Sequence, residues 1–497
     1  MRTKEAAAGQ VPARSALLTN AGALVAGRLG VAALGWAGTI LIVRNLSVDE
    51  FGRFSFIFGF LGLLSIVTDL GIGRVAIAGV VDHDQDRGGF AGTYVLLRVA
   101  LGFLGYAVAV GFVVLAGYPD EVVRTMAVAA VIVVIATPSH AYNLVFQAHG
   151  NLSPVAVASL LGQVTQLALT AAVAVAGGSL LLFVLPAVAF ELVSLSWSLR
   201  SVRRLLRIRY RVVWRTWLGL VREAVPLAIG GALATAYYRL DSVMLSKLDT
   251  FTSVGLYGVA YKFVDVLHFV PAALSLALLP VLVGAWPDRP GEFRDGFGRA
   301  FTVLVLVATF VVAEFSVFAR PLITALYGSA YAPAAGAARL VVVGECIAFF
   351  SGLAFTTLVA VGRHRLYPLA AGAGLVVNVG LNLWLIPSWS YRGAAMATLA
   401  TEVLVATVLW VSLLRSPDLR PSGLAPALRA LPSGALAALV GTVVWRFLPW
   451  PVAAVAAAGA FLGAVVITRA AGASGLRGLA RDPEQARGPR LGAAGDG

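Results

Sequence analysis

Apolar residues gather into fourteen long stretches separated by short polar, glycine or proline breaks. They occupy residues 17–43, 54–80, 90–117, 122–147, 154–177, 179–199, 224–247, 253–283, 300–319, 337–361, 367–387, 392–414, 430–448 and 450–468. A helix needs about 20 apolar residues to cross the hydrocarbon core, so each stretch predicts a transmembrane helix. The narrowest breaks are Gly177-Gly178-Ser179 and Pro449-Trp450-Pro451. The pattern divides the chain into a cytoplasmic arm (1–16), a six-helix N-lobe (17–199), a linker (200–223), a six-helix C-lobe (224–414), a final helix pair with its preceding loop (415–468) and a tail (469–497). The tail is rich in Gly, Ala, Arg and Pro and predicts disorder.

A faint repeat supports the two-lobe division. Val48-Asp49-Glu50-Phe51-Gly52-Arg53-Phe54-Ser55 enters the second helix, and Phe251-Thr252-Ser253-Val254-Gly255-Leu256-Tyr257-Gly258 enters the eighth. Glu191 and Glu402 likewise precede apolar runs that end in Leu-Arg-Ser. Parallel repeats of this kind are a recurrent transporter plan.

Composition agrees with the pattern: 59% of residues are hydrophobic and 12% charged, with a mean hydropathy of +0.87. Soluble domains carry about twice that charged fraction. The net charge of +14 would suit nucleic acid, but its distribution points to membrane topology. Of the 38 Lys and Arg residues, Arg44, Arg53, Arg124, Lys247, Arg320 and Arg392 fall in loops on one side. Arg28, Arg98, Arg239, Lys262, Arg339 and Arg446 fall in or beside spans, and all the others lie on the opposite side. The positive-inside rule then predicts both termini in the cytoplasm. The preference for Arg over Lys, with abundant Ala, Gly and Val, fits a GC-rich bacterial genome, hence the cytoplasmic membrane. The basic N-terminus carries no cleavable signal pattern.

The linker holds eight Arg and no acid between Arg200 and Arg222, interleaved with Leu205, Leu206, Ile208, Val212, Trp214 and Trp217. It reads as a topology-fixing connector, and also as an amphipathic helix held on anionic lipid.

Ionisable groups inside spans point to chemistry, because hydrocarbon penalises each charge by a few kcal/mol or more. The first half carries Arg28, Asp69, Arg74 and Arg98, and the second Arg239, Asp241, Lys262, Asp265 and His268. Gly258, Tyr261, Lys262, Asp265 and His268 share one helical stripe. Cations exceed carboxylates here, so an internal cavity lined by Arg28, Arg74, Arg98, Arg239 and Lys262 would attract a phosphate headgroup. Asp69, Asp241, Asp265 and His268 would pair with them or couple movement to a cation gradient, and Tyr237, Tyr257 and Tyr261 would line the cavity. The plainer alternative is structural pairing, such as Asp69 with Arg74 or Lys262 with Asp265. Glu191, Glu314, Glu345 and Glu402 are single carboxylates, each a possible relay and none a site by itself. Asn378 and Asn382 suit hydrogen bonding between helices. Pro138, before His140, suggests a bend.

The lone Cys346 forms no disulfide or thiolate metal site within one chain. No P-loop, His-x-x-x-His pair or Gly-x-Ser-x-Gly elbow occurs. No catalysis, cofactor or metal is therefore expected.

Several ordered motifs resemble a known family. They are Val43-Arg44-Asn45-Leu46, Phe51-Gly52-Arg53-Phe54-Ser55, Asp69-Leu70-Gly71-Ile72, Tyr238-Arg239-Leu240-Asp241-Ser242-Val243-Met244-Leu245, Val254-Gly255-Leu256-Tyr257-Gly258-Val259-Ala260-Tyr261, Leu326-Tyr327-Gly328-Ser329-Ala330-Tyr331, and Asn378 with Leu385-Ile386-Pro387 before Gly393-Ala394-Ala395. Across residues 15–415 the chain resembles the polysaccharide transporter branch, Wzx-type flippases, of the multidrug/oligosaccharidyl-lipid/polysaccharide exporter superfamily. The resemblance implies two six-helix lobes in a V around a central cavity. It also implies alternating-access transfer of a polyprenyl-pyrophosphate-linked oligosaccharide from the inner to the outer leaflet. Drug or solute antiport and peptidoglycan-precursor flipping are the related alternatives. Implied partners are the lipid-linked substrate, membrane lipids and a glycan polymerase or glycosyltransferase complex, with no nucleic acid. The family has no shared substrate residues, so the site residues above rest on physical inference. They predict two charged helix pairs facing one cavity.

Overall fold

The computed structural model describes residues 14–69, 71–73, 75–76, 86–363, 366–415 and 428–468, with side chains from Gly30 onward except at positions 67, 226–228, 230 and 234. Every regular element among them is helical. The helices are α1 (Arg14–Asn45), α2 (Val48–Asp69), α3 (Arg87–Leu115), α4 (Asp120–Ala129), α5 (Val131–Ala148), α6 (Ser153–Val175), α7 (Leu180–Leu205), α8 (Trp214–Leu248), α9 (Phe251–Leu267), α10 (Phe269–Ala285), α11 (Pro290–Tyr327), α12 (Ala335–Ala360), α13 (Leu366–Leu414), α14 (Leu431–Trp445) and α15 (Trp450–Ile467), with a 3-10 turn at Ser329–Ala334. Over the described residues each of the fourteen predicted spans coincides with helix, and nine of the described helices are long and apolar enough to cross a membrane. In hydrocarbon only an element that satisfies its own backbone can cross, which is why long apolar runs become helices.

Three spans have a shape that the apolar pattern did not predict. The fourth is broken at Ala130, and Pro138 lies inside the helix that follows, α5. The eighth is broken at His268, three residues before Pro271. The eleventh and twelfth form one continuous helical run apart from Ser390, whose φ of 55° turns the chain. At that turn a Cβ on Gly393 would collide with the Leu385 carbonyl, so only glycine fits.

The molecule consists of two compact units, residues 1–255 and 256–497. In the first, α2 packs on α8, α3 on α5, α6 on α7 and on α1, and α5 on α7. Ile72, Tyr94, Leu97, Tyr142, Val145 and Phe146 belong to one buried cluster there. In the second, α12 packs on α11 and α13, and α11 packs on α14, which pairs with α15.

One end of the first unit is tightly sealed. The start of α2 crosses the first turn of α9 so closely that a Cβ on Gly52 would strike the Phe251 carbonyl, and one on Gly255 the Val48 carbonyl. These are corresponding positions of the sequence repeat, and they pack reciprocally. Tyr118 stacks on Phe56 at 4.7 Å and hydrogen-bonds Ser246 at 2.8 Å. Lys247 donates to the Ala116 carbonyl and lies 3.5 Å from the Tyr118 ring centre. Arg53 bridges Asp49 at 2.8 Å and Glu121. Burial in this turn pushes the Tyr118 phenol up, with the Ser246 bond opposing.

The linker is not a single amphipathic helix, which corrects one of the two readings above. Helix α7 ends at Leu205, residues 206–213 carry no helix, and α8 starts at Trp214. The arm 1–13, residues 77–85 and 416–427, and the tail 469–497, for which disorder was predicted, lie outside the described residues.

Candidate functional site

The stripe predicted on the eighth span is the accessible side of α9. Tyr261 and Lys262 are half-buried and Asp265 and His268 exposed, while Val259, Ala260, Phe263 and Val264 are buried. An apolar run fixes which side packs, so the polar residues are left on the other. Lys262 reaches Asp265 at 3.6 Å, the structural pairing that the spacing allowed. His268 pairs through Nδ1 with Glu345 of α12 at 3.1 Å. The imidazole is 57% accessible and the carboxylate 1%. Asp265 and Glu402 lie within electrostatic reach of the same ring. Glu345 was one carboxylate among four with no partner visible, because its partner stands 77 positions away.

In the first unit, Arg98 of α3 is almost wholly buried. Its guanidinium donates to the Asp69 carboxylate at 2.8 Å and to the Thr68 carbonyl at 2.7 Å. Asp69 therefore pairs one helix away, with Arg98. His140 and Tyr94 lie within electrostatic reach of both. Arg239 of α8 is exposed, its Nε 3.6 Å from where a Cβ would stand on Gly62 of α2. Asp241, two residues on, is fully buried. Arg28 and Arg74 lie outside the described side chains.

The three tyrosines occupy different settings. Tyr237 is buried and stacks on Tyr238 at 4.6 Å. Tyr257 is 1% exposed, bonds Thr398 at 3.0 Å and packs 5.0 Å from Tyr261. Tyr237 and Tyr257 are thus buried in this structure, and Tyr261 is the accessible one of the three. Asn378 and Asn382 are fully buried and bond each other along one helix at 3.0 Å. Among the described residues no three His, Cys, Asp or Glu side chains gather as a metal site. The second unit also holds an apolar groove of about 750 Å³ between α11, α12, the second half of α13 and α14, bordered by Val312, Ile347, Trp410 and Ala438.

Long apolar helices with paired charges set inside them are the build of a polytopic membrane transporter. The comparisons with known proteins agree. The family described as "Polysaccharide biosynthesis protein" matches residues 17–286, more than half of the chain, and the chain belongs to that family. An uncharacterized membrane protein, MJ1068 of Methanocaldococcus jannaschii, is 23% identical over 189 residues, 38% of this chain and 36% of that one. The match thus spans little more than a third of this relative. Among solved structures, the lipid II flippase MurJ in an inward closed conformation superposes with a TM-score of 0.73 at 13% identity, covering 92% of this chain and 99% of the other. An inward-facing multidrug resistance MATE family transporter of the MOP superfamily gives 0.63 at 13% identity, over 76% and 92%. These likenesses show that the fold is shared.

Proposed function

We propose that the protein is a flippase carrying a polyprenyl-(pyro)phosphate-linked oligosaccharide across the bacterial cytoplasmic membrane, from inner to outer leaflet, by alternating access. The observation that carries this reading is the family match over residues 17–286. The charge distribution supports it. Arg28, Arg74, Arg98, Arg239 and Lys262 supply cationic donors inside the spans, and guanidinium forks suit phosphate oxygens. Asp69, Asp265 and the His268–Glu345 pair would hold these groups in place or exchange a coupling cation. The apolar groove of the second unit matches the character of a polyprenyl chain. Both termini lie in the cytoplasm on the arginine bias. A lipid-linked peptidoglycan precursor is the second reading, favoured by the likeness to MurJ.

Transfer of a fluorescent lipid-linked oligosaccharide in reconstituted vesicles tests both. Arg28→Gln and Arg239→Gln should each slow it roughly 10- to 100-fold, the worth of a charge-assisted hydrogen bond. Undiminished transfer in both variants removes the phosphate-binding role. Transfer of lipid II at a higher rate than of the oligosaccharide selects the second reading.

A further inference from the structure

The linker between α7 and α8 has a purpose that its position alone does not explain. Residues 206–213 are bound along α3 by backbone contacts. The Arg209 amide donates to the Gly88 carbonyl at 3.0 Å, and the Thr93 hydroxyl donates to the Arg211 carbonyl at 2.8 Å. The Trp217 indole donates back to the Thr93 carbonyl at 2.9 Å. Gly88 and Gly92 have no side chain where the Arg207 and Arg209 carbonyls lie, and a Cβ at either would collide. The Tyr210 hydroxyl meets that of Tyr142 at 3.0 Å. Leu206 and Ile208 pack on the buried cluster of the first unit. Arg207, Arg209 and Arg211 are exposed, and Arg209 is fixed by Asp86 at 2.7 Å.

The result is an alternation over residues 206–209, with Leu206 and Ile208 packed inward and Arg207 and Arg209 outward, followed by the half-exposed Tyr210 and the exposed Arg211. Successive arginines on an extended chain stand about 6.5 Å apart. Arg203, Arg204 and Arg215 extend the row at the helix ends, all exposed. Beside them Val212, Val213, Trp214 and Leu218 are also exposed, Trp214 at 67% and Leu218 at 69%. Cations alone would suit any polyanion. Cations interleaved with exposed aromatic and aliphatic groups, on a segment joining two membrane-crossing helices, suit a lipid headgroup boundary.

We propose that this strap is a preformed binding surface for anionic phospholipid headgroups. Its main chain is already ordered by α3, so lipid binding costs little backbone entropy. The surface is independent of the transport reading, since it uses none of the residues assigned to substrate.

Native mass spectrometry of the purified full chain, titrated with phosphatidylglycerol or phosphatidylcholine, tests this. The variant Arg207→Gln/Arg211→Gln/Arg215→Gln leaves the Arg209–Asp86 pair in place. With about 1 kcal/mol per basic residue near an anionic surface, it should bind phosphatidylglycerol on the order of 100-fold more weakly. Phosphatidylcholine binding should not change. Arg289→Gln/Arg294→Gln/Arg299→Gln, with the same charge loss at the N-cap and first turns of α11, serves as control. Equal weakening in the control, or unchanged binding in the strap variant, overturns the proposal. Displacement of phosphatidylglycerol by equimolar inorganic pyrophosphate or by a short DNA duplex also overturns it, in favour of a soluble phosphate or polyanion site. An unaltered thermal midpoint of the strap variant separates lost lipid binding from misfolding.

Discussion

Asp69 and Asp265 are both carboxylates paired with a cation inside a span, yet their pairs differ in weight. Asp69 is 61% accessible but its partner Arg98 only 2%, whereas Lys262 and Asp265 are 31% and 43% accessible. Removing Asp69 strips a buried guanidinium of its charged partner, while removing Asp265 loosens a pair already open to its surroundings. Asp69→Asn should therefore lower stability by about 1–3 kcal/mol and Asp265→Asn by less than about 1 kcal/mol. Thermal unfolding of the two purified variants measures the difference. Equal losses would mean that burial of the guanidinium does not set the cost. Glu345, buried at the inner end of the His268 pair, was legible only as an isolated carboxylate, because pairing across 77 residues leaves no local periodicity.

At the scale of elements, the contact of α2 with the start of α9 is tightly constrained. Gly52 and Gly255 each face a backbone carbonyl, which cannot move aside as a flexible side chain would. Gly52→Ala and Gly255→Ala should each force the two helices apart at a cost of about 1–3 kcal/mol. The separation should also raise maleimide labelling of a Ser246→Cys reporter in the purified protein, since Ser246 is held there by Tyr118. Unchanged labelling would mean that the helices absorb the methyl group by sliding. The linker teaches a related lesson about elements. Its arginines at 207, 209 and 211 alternate with Leu206, Ile208 and Tyr210, which is the period of extended chain. That period is local, whereas a count of arginines carries no period and suits a helix equally well. Replacing Gly92 with Val should detach the strap from α3, and limited trypsin digestion should then cut at Arg207 or Arg209 more than tenfold faster, a rate set by local opening. Resistance equal to the parent would count against the docking seen here.

For the whole molecule, residues 1–255 and 256–497 form two compact units, and the first holds the buried cluster around Tyr94 and Tyr142. The groove beside α14 depends on elements outside the sequence repeat. Filling it with Ala438→Trp should weaken transfer of long polyprenyl substrates while sparing a short-chain analogue, because only a long chain would lose apolar contact area. Equal effects on both substrates would assign the groove to packing alone.

The primary structure by itself determined the class of the protein, the helical character of the apolar stretches and the positions of the tight turns. These follow from local apolar content, since hydrocarbon admits helices and rejects unpaired backbone. It also determined which side of α9 carries polar groups, because 3.6-residue periodicity is written in neighbouring positions. Only the tertiary structure decided that Arg98 holds Asp69, that Glu345 holds His268, that Tyr257 is core, and that two glycines of the repeat meet. Those facts depend on contacts between segments far apart in the chain, and helix periodicity carries no information about which helices become neighbours.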